Sequence, residues 1–89
     1  MVLGKVIGTV VSTQKDKSFI GEKLLVVKAI DLDDKLLDPF VVAVDVVGVG
    51  IGENVLVVNG SSARMTDQTK NKSIDSVIVA KVDSIQVEK

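Results

Sequence analysis

Residues Gly48–Arg64 read GVGIGENVLVVNGSSAR. Three glycines at alternate positions lead into four apolar residues, and the stretch closes on the only arginine in the chain. Such a run has two physical readings, a phosphate cradle or a pair of tight turns around a strand. A dinucleotide fingerprint needs G-x-G-x-x-G opening a helix, whereas Gly48, Gly50 and Gly52 give G-x-G-x-G. A P-loop needs G-x-x-x-x-G-K-[ST], and no glycine of this stretch precedes a lysine; Gly4-Lys5 comes after too few residues to complete one. The segment after the glycines, Asn54–Val58, is rich in residues branched at Cβ, which favour a strand. The stretch therefore reads as a tight connection, a strand and a second turn, with the glycines supplying positive φ or close backbone approach.

Working outward, the same chemistry recurs. Valine and isoleucine dominate Val2–Thr13, Lys23–Ile30, Phe40–Val47 and Val77–Val87, which read as four further strands. The segments QKDKSFIGE, DLDDKLLDP and NGSSARMTDQTKNKS carry turn signals. A short helical turn near residues 73–77, capped by Ser73 with Asp75 near its positive end, is the most helix the pattern allows. No segment is a plausible crossover helix, so a parallel βαβ sheet is excluded. The expected fold is all-β: a small five-stranded antiparallel OB-like barrel in a single domain over residues 1–89. Gly4 and Gly8, placed on one face of the first strand, suit the sharp bends of a tight barrel.

Strands of such a barrel should alternate apolar and polar residues. Several do not. Val55 and Val57 oppose Leu56 and Val58, and Phe40, Val42, Val44 and Val46 oppose Val41, Ala43, Asp45 and Val47. The chain is 89 residues long, 46% apolar, and has a mean hydropathy of +0.40. A lone domain of this length hides only about 60–65% of its unfolded surface. The apolar excess is expected to meet identical subunits, which cover a second sheet face most simply.

Other partners fit poorly. No apolar run approaches the roughly 18 residues of a spanning helix, and Lys5 sits inside the first apolar stretch, unlike the layout of a signal peptide. With no cysteine, the expected location is cytoplasmic. The net charge of −1 and two phenylalanines, Phe19 and Phe40, supply neither the basic groove nor the stacking platform of a nucleic-acid binder. An OB-like ligand or nucleic-acid binding module is the alternative reading. Catalysis has little to draw on: histidine, cysteine, tyrosine and tryptophan are all absent. That removes the commonest general base, the thiolate nucleophile and every imidazole or thiolate metal site. No catalytic residue, metal or cofactor is assigned. Asp31, Asp33 and Asp34 resemble the start of a calcium loop, but Lys35 and Leu36 stand where an EF-hand needs Asp or Asn and then Gly. The stretch reads instead as an exposed hairpin loop.

Taken in order, GKVIGTVVST, GEKLLVVKAID, AVDVVGVGIGENVLVVNGSSAR and SIDSVIVAKVDSI resemble the EutN/CcmL family of bacterial microcompartment vertex proteins. The resemblance implies a non-enzymatic barrel that assembles as a homopentamer. The pentamers would cap the vertices of a polyhedral shell tiled by hexameric shell proteins, as in carboxysomes and metabolosomes. It further implies subunit-interface or near-axis contacts from Gly48, Gly50, Gly52 and Glu53, and from Gly60, Ser61, Ser62, Ala63 and Arg64. Val49 stands where alanine is common in the family, and Lys28 and Lys81 interrupt runs that are often more apolar.

Overall fold

The branched runs form strands. The computed structural model describes residues 1–12, 21–60 and 75–88. Its five strands, in chain order, are β1 Val2–Thr9, β2 Leu24–Ile30, β3 Leu36–Asp45, β4 Asn54–Asn59 and β5 Ser76–Val82. They close into a barrel in the order β1-β2-β3-β5-β4, with β4 returning to β1. This all-β barrel matches the expected class, with one refinement: β3 and β5 pair in parallel, through Val44↔Val77 and Asp45↔Ile78. The other seams are antiparallel. The connection from β3 to β5 passes through β4, so this parallel seam needs no crossover helix. Ser76 and Val77 belong to β5, while Ser73 and Ile74, the expected start of the helical turn, lie outside the described residues.

The barrel interior holds Val6, Leu25, Val27, Ala43, Val55, Val57 and Ile78, all essentially without exposure. Each buried valine or leucine stabilises the fold by about 1.5–3 kcal/mol relative to staying in water. Gly4 lies in the same inward row, opposite Val55 and Ala29. A Cβ there would sit 2.5 Å from Val27 Cγ1 and 2.8 Å from the Lys28 carbonyl oxygen, so only glycine lets the strands approach.

Several expectations change; β1 ends at Thr9, short of Thr13, and β3 at Asp45, short of Val47. Gly4 and Gly8 do not share a face, because a bulge at Ile7 shifts the β1–β2 register between Val6 and Gly8. One extra residue reverses the alternation beyond it, and Gly8 pairs with Val26 in an outward row. The third strand also starts earlier than Phe40. The turn ends at Lys35 and the chain pairs from Leu36, with an irregularity between Lys28 and Ile30. Pro39, which cannot donate to a ladder, sits in that irregular part. Finally, β5 ends at Val82, short of Val87.

The outer face of the barrel is divided. Leu24, Val44, Val77 and Val58 form one row across β2, β3, β5 and β4, with Val44 and Val77 buried and Val46 and Val79 packed against them. Phe40 and Val42 leave the same side of β3 and are exposed.

Candidate functional site

The glycine connection between β3 and β4 folds around two carboxylates at its ends. Asp45 closes β3, and its side chain is almost fully buried. Its Oδ1 accepts the N–H groups of Val47 and Gly48, each at 2.9 Å, and its Oδ2 accepts that of Val49 at 2.9 Å. Lys23 Nζ lies 3.6 Å from the same Oδ2 and donates to the Val49 carbonyl at 2.9 Å. Burial pushes the Asp45 carboxyl up, but the three N–H groups and the Lys23 charge outweigh it and hold the group below the usual carboxylate range.

Glu53 does the same at the other end. Its Oε1 accepts the Gly50 N–H at 2.7 Å, and its Oε2 pairs with Lys81 Nζ at 2.7 Å. The hydrogen bond from Lys81, then that from Gly50, lowers the Glu53 pKa, and Glu53 in turn raises that of Lys81. Glu53 N–H donates back to the Gly50 carbonyl at 3.2 Å. The turn is stitched to β1 by Gly52 N–H to the Val6 carbonyl at 2.8 Å and Val6 N–H to the Glu53 carbonyl at 3.0 Å.

Gly48 and Gly52 have φ of 94° and 90°, conformations that side chains with a Cβ rarely adopt. A Cβ on either would meet nothing within 4 Å. Backbone conformation, rather than crowding inside the chain, is why glycine stands there. Between them Val49 turns inward and joins the barrel core, leaving Ile51 on the outside. Gly48, Gly50, Gly52 and Glu53 are thus brought together as one rigid turn. Gly60 is at its expected place after β4, also with positive φ, and Ser61, Ser62, Ala63 and Arg64 lie outside the described residues. The parts played by Asp45, Lys23, Lys81 and Val49 are not assigned by sequence reasoning. The available signal is an aspartate three residues before a glycine at the end of a strand.

The hairpin joining β2 and β3 carries the second ordered turn. Asp31 Oδ1 accepts the N–H groups of Asp33 at 2.8 Å and Lys35 at 3.0 Å. Asp34, at φ 66°, accepts from Asn54 Nδ2 at 2.9 Å and Lys5 Nζ at 3.2 Å, which lowers its pKa. These aspartates build and anchor a hairpin turn, the role expected of them in place of a calcium loop. Beside this arm is an open groove with apolar walls, formed by Val2, Val27, Ala29, Pro39, Phe40 and Val41.

A closed five-stranded barrel whose glycine turn and β2–β3 hairpin bind their own carboxylates, with apolar surface left over, defines a class of small all-β protein. Over residues 1–83 the chain matches the family described as ethanolamine utilisation protein EutN/carboxysome. It is 45% identical over 89 residues to the carboxysome shell vertex protein CcmL of Nostoc sp. (strain PCC 7120), covering 99% of this chain and 88% of that protein. It is 49% identical over 88 residues to the microcompartment shell vertex protein GrpN of Rhodospirillum rubrum (strain F11), covering 97% of each. The structure of the Rhodospirillum rubrum GrpN pentameric microcompartment shell protein superposes with a TM-score of 0.90 at 46% identity, over 99% of this chain and 100% of that one. Gloeobacter violaceus CcmL superposes with a TM-score of 0.93 at 39% identity, over 99% and 91%. The chain belongs to the EutN/CcmL family.

Proposed function

We propose that this chain is a non-enzymatic structural protein that forms homopentamers at the vertices of a bacterial microcompartment shell in the cytoplasm. The observation that carries the reading is family membership along nearly the whole chain, with relatives that are shell vertex proteins and a pentameric shell protein of the same fold. The exposed apolar side chains of β3 and of the glycine turn support it, because a filled barrel has no internal use for them. The mechanism is geometric. A head-to-tail contact closes into a ring when its rotation divides a full turn, and five-fold units supply the curvature that closes a shell tiled by six-fold ones. Hexameric shell proteins are the proposed neighbours at the pentamer's rim. Gly48–Glu53 and Gly60–Arg64 are proposed as inter-subunit or near-axis contacts, with Gly48, Gly50 and Gly52 giving the first segment its fixed shape.

Light scattering of the purified chain tests the reading. The expected mass is about five times the 9.4 kDa chain, and a monomer across the micromolar range would refute it.

A further inference from the structure

The end of β2, the Asp31–Lys35 turn and Leu36–Phe40 of β3 form an arm whose backbone is attached on one side. Among the described residues, β3 meets β5 at Val44 and Asp45 alone, so β2 is the arm's single ladder neighbour. That ladder is interrupted: its register shifts between Lys28 and Ile30, and Pro39 has no N–H to give. The tip, by contrast, is internally firm. Asp31 Oδ1 accepts the N–H groups of Asp33 and Lys35, and Asp31 N–H donates to the Lys35 carbonyl at 2.9 Å. A firm tip on an interrupted ladder moves as one body unless something else restrains it.

One side chain supplies the restraint. Asp34 reaches beyond β2 to the β1–β4 seam, where Lys5 and Asn54 stand directly opposite each other. It accepts from Asn54 Nδ2 at 2.9 Å and from Lys5 Nζ at 3.2 Å. Its charge matters too, because Lys5 faces Lys28 across the β1–β2 ladder and the carboxylate offsets the repulsion between them. The closed contact has a cost. With Nδ2 given to Asp34, the Asn54 Oδ1 is buried with no hydrogen-bond partner among the described residues. Release would let that amide turn its oxygen toward water.

We propose that Asp34 is a latch, and that the β2–β3 arm is a flap that opens about the break between Lys28 and Ile30 when the latch is released. Closed, the arm belongs to the rigid barrel; open, it is held by the β2 ladder alone. The hydrogen bonds from Asn54 and Lys5 hold the Asp34 carboxyl below its usual range, so the latch is ionised and shut at neutral pH. The exposed Leu36, Leu37 and Phe40 ride on the arm. The chain can therefore present these apolar side chains at more than one angle while its core stays fixed. The device belongs to the single chain and stands apart from the pentamer reading.

Amide hydrogen exchange by NMR on the full chain tests the latch. Asp34→Gly keeps the turn, because glycine adopts the φ of 66° found there freely, and lacks the carboxylate. The amides of Ile30, Asp31, Leu36 and Leu37 are expected to exchange about fivefold faster than in the wild type. Those of Val57 and Ile78, in β4 and β5, should be unchanged. Lys5→Met should speed the same arm amides, and the double variant should add little to Asp34→Gly, since the shared contact is lost only once. In the wild type, raising salt to about 1 M should speed the arm amides selectively, because an exposed ion pair is screened. Equal arm rates in the wild type and Asp34→Gly overturn the latch. Faster exchange throughout the barrel also overturns it, because Asp34 would then support the whole fold and not a flap. A wild type that scatters as a monomer refutes the pentamer reading but leaves these comparisons intact, so the two failures are distinct.

Discussion

Phe40, Val42 and Val44 leave β3 on the same side, yet the first two are exposed while Val44 is buried and Val46, just beyond the strand, packs against its cluster. The sequence pattern is uniform along this face and the environment is not. Val44 stands where β3 meets β5, in a row continued by Leu24, Val77 and Val58. That half of the outer face serves the fold of the single chain. The half around Phe40 is paired to β2 but leaves much of its apolar surface exposed. Two-sided apolar strands thus mark a second covered face, but only the pairing of strands decides which part the chain covers by itself.

The contrast can be broken most severely at Val77. Val77→Asp places an unpaired charge in a fully buried position, a cost comparable to the whole stability of about 5–10 kcal/mol for a domain of this size. No cooperative thermal transition is expected. Val77→Ala, which only leaves a cavity, is expected to cost about 2 kcal/mol in urea unfolding; an unchanged midpoint would show that the outer row is not a core.

Asp45, the residue after Val44, gives an intermediate effect. Asp45→Asn retains one acceptor oxygen but turns an amide N–H2 toward backbone donors, and is expected to cost about 2 kcal/mol. The wild-type carboxyl is held below its ordinary range of about 4. Its contribution is therefore complete above that range and is lost as pH falls through the folded value. Urea titrations between pH 7 and pH 3 should show stability falling on the acid side, with a shallower fall in Asp45→Asn. Equal slopes would remove Asp45 from the account.

Phe40→Ser should be the mildest for the fold, within about 0.5 kcal/mol once measured below the concentration at which copies associate. Its thermal midpoint should not depend on protein concentration, whereas the wild-type midpoint should rise with it.

Much of the fold is legible in the residues alone. Branched side chains mark all five strands, and the failed nucleotide spacings correctly make Gly48–Glu53 a connector. The illegible parts depend on contacts distant in sequence. The bulge at Ile7 reverses the side on which Gly8 lies, and nothing local to GKVIGT announces it. Leu36–Pro39 reads as a loop because of Asp38 and Pro39, and becomes strand because β2 lies beside it. Val49 enters the core because the turn bends inward, where alternation along a strand no longer applies. Glu53 reads as a contact residue, yet within the chain it braces the backbone of Gly50 and pairs with Lys81.

The turn after β3 does hold an anion, as glycine-rich loops do, but the anion is covalently its own. Three successive N–H groups converging on Asp45 form the kind of nest that binds phosphate elsewhere. A tethered carboxylate competes for that nest at an effective concentration of millimolar or more. A free anion could enter this nest only by displacing the Asp45 carboxylate.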